Sequence, residues 1–64
     1  MQNAVKEYRT ARQWSQQYLA DKLGVSRQTV ISIERGRFDP SLPLAFRLAA
    51  LFDSTIEDLF IPGA

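Results

Sequence analysis

Neither cysteine nor histidine occurs anywhere in the 64 residues. Lack of cysteine rules out disulfide stapling, lack of both rules out the usual zinc sites, and lack of histidine removes the commonest acid–base side chain near neutral pH. No apolar run is long enough to cross a bilayer, and the N-terminus carries no signal-peptide pattern. Glycine-rich phosphate loops, metal-ligand spacings and a serine or carboxylate paired with a base are also missing. So are repeats, low-complexity tracts and linkers. What remains is one small domain over 1–64, expected to be cytoplasmic, not an enzyme, and without cofactor, metal, membrane contact or small-molecule ligand. So short a chain must rely on well-packed helices or on a partner subunit.

Net charge is only +1, but its distribution is uneven. From Met1 to Phe38 seven Lys and Arg face three Asp and Glu, giving +4; from Asp39 to Ala64 one Arg faces four acids, giving −3. A basic half facing nucleic acid and an acidic half facing away fits this split, and plain scatter of surface charge is the alternative.

The stretch Ser15–Arg37 is the most informative. Leu19, Ala20 and Leu23 share one face of a helix predicted over Gln16–Leu23, and Gly24 suits the left-handed residue that ends it. Ser26 can cap a second helix, which Gly36 closes in the same way. At about 100° per residue, Val30, Ile33 and Glu34 of that helix fall on one side, with Gln28, Ser32 and Arg35 opposite and Arg27 and Thr29 beside them. An outer face of Arg, Gln, Thr and Ser carries groups that bond base edges and phosphates.

Around it, a first helix is predicted over about Asn3–Arg12, with Val5, Tyr8, Arg9 and Arg12 on one stripe. Arg9 and Glu34 both point inward, so they are expected to form a partly buried ion pair; a solvent-reaching Arg9 is the alternative. Trp14 is expected to pack on Tyr18 or the core. Ser41 caps a fourth helix over Leu42–Phe52, in which Phe46 falls away from the main stripe, to pack under helix 5 or form a subunit contact. Thr55 opens a short fifth helix over Ile56–Phe60, ended by Pro62-Gly63. The class is all-α, a compact bundle of five helices.

The chain resembles the helix-turn-helix of the Cro and lambda-repressor class, the XRE family. The likeness rests on Ser15-Gln16, Leu19-Ala20, Leu23-Gly24-Val25-Ser26 and Val30 to Gly36 with its Ile33-Glu34-Arg35-Gly36 ending. It continues through Asp39-Pro40-Ser41-Leu42 and Ile56 to Phe60, so it covers nearly the whole chain. Asp53 and Ser54 depart from it, where a glycine and an apolar residue are usual.

The resemblance implies a lambda-repressor-like DNA-binding domain with its helix-turn-helix at helices 2 and 3. It implies sequence-specific binding of double-stranded DNA by a small transcriptional regulator, with helix 3 in the major groove. Base reading then falls to Arg27 (guanine), Gln28 (adenine), Thr29 and Ser32, with Ile31 set between a thymine methyl and the edge of the core. Phosphate contacts fall to Gln16, Gln17, Arg35 and Arg37. The family also commonly pairs an Arg and a Glu where Arg9 and Glu34 stand. Family habit and leftover apolar residues further imply a homodimer on a palindromic operator, touching through Phe46, Phe60 and Ile61. A protein-interaction module, such as an antitoxin or adaptor, is the alternative use of the same fold.

Overall fold

The computed structural model describes residues 1–62. Five helices follow one another, α1 (Val5–Ala11), α2 (Gln16–Leu23), α3 (Arg27–Glu34), α4 (Leu42–Leu51) and α5 (Ile56–Leu59). A two-residue strand at each end, β1 (Gln2–Asn3) and β2 (Phe60–Ile61), joins antiparallel with Gln2 opposite Ile61 and Asn3 opposite Phe60.

Each helix after the first starts at a hydroxyl that caps it. The side-chain oxygens of Ser15, Ser26, Ser41 and Thr55 accept from the amides of Tyr18, Thr29, Leu44 and Asp58. This satisfies one of the amides that a helix start leaves unpaired. The helices close on a core to which every helix contributes. Val5, Leu19, Leu23, Val30, Ile33, Leu48, Phe52 and Leu59 are all but sealed from solvent. Sealing a side chain of that size contributes about 1.5–3 kcal/mol relative to leaving it exposed.

Three expectations from the sequence are corrected. The first helix begins at Val5 rather than Asn3, because Asn3 is committed elsewhere: its backbone pairs with Phe60, its Oδ1 accepts from Val5 N at 3.1 Å, and its Nδ2 donates to the Ile33 carbonyl at 2.7 Å. Phe60 is not available for a subunit contact. The chain turns from helix to extended there, so strand alternation sends Phe60 into the core at 7% exposure and Ile61 outward at 50%. Phe46 does not pack under α5; it stands 59% exposed beside it, at the edge of an open groove that Ala50, Ile56 and Glu57 also line. Of the Pro62-Gly63 stop, Gly63 lies outside the described residues.

Candidate nucleic-acid interface

The α2–α3 unit owes its shape to its turn. Gly24 sits at φ 73°, which lets its amide reach Asp21 O at 3.3 Å and the amide of Val25 reach Ala20 O at 3.0 Å, closing α2. Ser26 then begins α3 at once. At the far end Gly36, also at φ 73°, and Arg37 bond back to Ile33 O and Ser32 O at 2.9 and 3.0 Å. An alanine at 36 would meet the Met1 carbonyl at 3.1 Å as well as the backbone strain.

So terminated, α3 shows two different faces. Val30 and Ile33 are sealed against the bundle. Arg27 and Gln28, in the first turn, are exposed, and their side chains have no hydrogen-bond partner among the described residues. Their backbone amides precede the one that Ser26 caps, and they are likewise unpartnered there. Thr29 and Ser32 are half-buried on the flank; the Thr29 hydroxyl shares a 2.9 Å bond with Ser26 Oγ. Ile31 is half-buried, at the edge of the core. Past the C-terminal end, Arg35 and Arg37 are exposed with no ion pair among the described residues. One end of α3 thus offers planar donors and acceptors, and the other offers loose cations.

Behind this surface lies a polar node. Arg9 Nε donates to Glu34 Oε2 at 2.6 Å and Nη2 to Glu34 Oε1 at 3.2 Å, with the two side chains 10% and 4% exposed. Arg9 Nη1 donates to the Trp14 carbonyl at 2.7 Å, tying the link between α1 and α2 into the same cluster. Gln16 Nε2 completes it, donating to Glu34 Oε1 at 3.2 Å. Gln17 is exposed, and its amide rests on Asp21 Oδ1 at 2.8 Å. Of the residues singled out in the sequence, Gln16 and Glu34 are therefore brought together, whereas Phe46 and Ile61 stand on other elements, α4 and β2. Sequence periodicity gave no sign of Asn3, which clamps the end of α3 through Ile33 O; an asparagine ahead of a helix is a signal only for a cap.

A capped helix, a three-residue turn entered through a left-handed glycine and a second helix with a polar outer face and a sealed inner one define a helix-turn-helix domain. The family model of the helix-turn-helix matches residues 5–59. An uncharacterized HTH-type transcriptional regulator of Methanocaldococcus jannaschii is 56% identical over 61 residues, 95% of this chain and 92% of that one. Among solved structures, the restriction-modification controller protein C.AhdI from Aeromonas hydrophila superposes with a TM-score of 0.78 at 38% identity, covering 88% of this chain and 85% of that one. The hypothetical transcription factor NHTF from Neisseria follows with a TM-score of 0.76 at 28% identity, over 84% of this chain and 61% of that one. The chain belongs to the XRE family of helix-turn-helix regulators.

Proposed function

We propose that the protein binds a specific sequence of double-stranded DNA as a small transcriptional regulator, with α3 in the major groove. The observation that carries this is the contrast across α3: Val30 and Ile33 sealed on one side, Arg27 and Gln28 exposed and unpartnered among the described residues on the other. A planar guanidinium suits guanine O6 and N7, and a primary amide suits adenine N6 and N7. Thr29 and Ser32, on the flank, supply further base contacts. Gln16, Gln17, Arg35 and Arg37 hold phosphates on either side of the groove, helped by the amides of Gln16 and Gln17, unpartnered among the described residues. The names of the relatives, regulators and a restriction-modification controller, agree with this class of work.

Selection of binding sites from random duplex tests the reading. The expected product is an inverted repeat with half-sites about 34 Å apart, and a pool that shows no enrichment overturns it. Within the enriched site, Arg27→Ala or Gln28→Ala weakens binding by about 1–3 kcal/mol and relaxes preference at one base pair, whereas Arg37→Ala weakens all duplexes alike. Equal losses on specific and random DNA for Gln28→Ala would remove its base-reading role.

The inverted repeat calls for a symmetric pair of subunits. Leu42 and Phe46, one helical turn apart on α4, are 63% and 59% exposed and form an apolar stripe beside which a second copy would pack, and Ile61, 50% exposed on β2, is the further candidate for that contact. Light scattering that gives a monomer at tens of micromolar, on the order of a weak dimer's dissociation constant, rejects a stable free dimer.

A further inference from the structure

We infer that Glu34 is a positioning residue for the phosphate contact of Gln16, and that Arg9 is what makes this compatible with an approaching anion; the inference rests on the DNA-binding reading above. A primary amide has two N–H donors and one carbonyl, and the free side chain can present either end. Gln16 cannot, because Glu34 Oε1 takes one N–H at 3.2 Å and the carboxylate is acceptor-only. The amide is thereby oriented nitrogen towards Glu34. Against phosphate, itself acceptor-only, the remaining N–H is the useful group. The contact between Gln16 and Glu34 runs from the first residue of α2 to the last of α3. A phosphate held at Gln16 is therefore tied to the end of α3 opposite Arg27 and Gln28, which sets the tilt of the helix from behind.

A carboxylate beside a phosphate site would ordinarily repel the ligand. Here the Arg9 guanidinium bonds both oxygens, at 2.6 and 3.2 Å, so the cluster is neutral as a whole. The Glu34 side chain is 4% exposed, so the bulk of its field is met by Arg9 rather than by solvent. Arg9 supplies the compensating charge, Glu34 the acceptor and Gln16 the outward donor.

The test compares the effect of Gln16→Met in two backgrounds, the native protein and Arg9→Met/Glu34→Met, which removes both charges together and so avoids stranding either in the core. Binding is measured on the selected duplex at fixed salt, with thermal unfolding confirming that each variant is folded. In the native background Gln16→Met weakens binding about three- to tenfold, the range for one hydrogen bond. In the paired background the same change costs less than about twofold, because the amide is no longer oriented. Equal losses in the two backgrounds overturn the inference and leave Arg9 and Glu34 as stability residues only, while absence of duplex binding by the native protein overturns the functional reading beneath it. If the paired variant does not fold, proton exchange of side-chain amides in the native protein alone decides. One Gln16 amide proton exchanges more slowly than those of exposed Gln28, and equal rates overturn the inference.

Discussion

Two of the connections between helices have the same backbone but opposite chemistry. Gly24-Val25-Ser26 joins α2 to α3 and Asp53-Ser54-Thr55 joins α4 to α5, each as a left-handed residue, a middle residue and a hydroxyl cap. At Asp53 the φ is 52°, and the amides of Asp53 and Ser54 bond back to Ala50 O and Ala49 O at 3.1 and 2.8 Å, repeating the pattern at Gly24. Gln13-Trp14-Ser15 makes a third copy, with Gln13 at φ 59°. Only glycine adopts this conformation without a steric cost. The two connections without glycine are the two that an arginine of the first helical segment holds by a carbonyl: Arg9 donates to Trp14 O at 2.7 Å, and Arg12, just past α1, donates to Phe52 O at 2.7 Å. Strained backbone persists where its surroundings over-determine it, and here those two guanidinium bonds add to the backbone bonds that close each turn. The turn that leads into the proposed reading helix needs no such outside support.

Removing a support is the most severe way to break that contrast. Arg9→Met takes away the Trp14 carbonyl bond and leaves the Glu34 carboxylate buried without its counter-ion. The expected loss is about 3–5 kcal/mol in urea unfolding, the usual cost of stranding one member of a buried pair. A loss under about 1 kcal/mol, as for an exposed pair, means that neither the pair nor the support matters.

Most of the bundle was legible in the sequence, because its signals are local. Ser15, Ser26, Ser41 and Thr55 mark the starts of four helices and act as caps in the structure. The apolar spacing of Leu19, Ala20, Leu23, Val30 and Ile33 set the inner faces of α2 and α3. What escaped was non-local or too short to have a period. Two-residue strands are too short to show a period in sequence, so Asn3 read as helix and Phe60 as the end of helix 5 and a possible subunit contact, when pairing across the molecule fixes both. The left-handed Gln13 gave no signal, since nothing about a glutamine marks it for a turn that Arg9 holds from four residues back. At the proposed interface, the residue types on α3 were visible from spacing. The bond from Gln16 to Glu34 spans eighteen positions and appears only once α2 and α3 are packed.

A milder probe acts on the glycine side of the comparison. A Cβ added at Gly24 would meet nothing nearer than Arg47 Nη2 at 3.7 Å, an ordinary contact, so space is not the obstacle. The cost of Gly24→Ala is therefore conformational, about 1–2 kcal/mol for the left-handed region, less a partial offset of about 0.4–1 from restricting the unfolded chain. A net loss of about 1 kcal/mol in equilibrium unfolding is expected from the difference of those two terms. No loss at all would mean that the turn relaxes when its glycine is replaced, and the distinction between the connections would fall with it.

The smallest effect, and the one that sharpens the comparison most, is the reverse exchange at the other connection. Asp53 is exposed and its side chain has no hydrogen-bond partner among the described residues, so Asp53→Gly removes backbone strain and little else. Aspartate tolerates the left-handed region better than most residues, so the strain relieved is small, and the freedom glycine adds to the unfolded chain offsets part of it. A gain of about 0.5 kcal/mol is expected, read as a small rise in the urea midpoint with the slope unchanged. The informative measurement is the same exchange after Arg12→Met, which frees the Phe52 carbonyl. If Arg12 is what keeps the strained connection in place, losing it costs less once the residue at 53 is glycine, and the two changes are non-additive. Strict additivity would show that the Arg12–Phe52 bond and the conformation at Asp53 are independent, and that the α4–α5 connection holds its shape through its own bonds to Ala50 O and Ala49 O without help from Arg12.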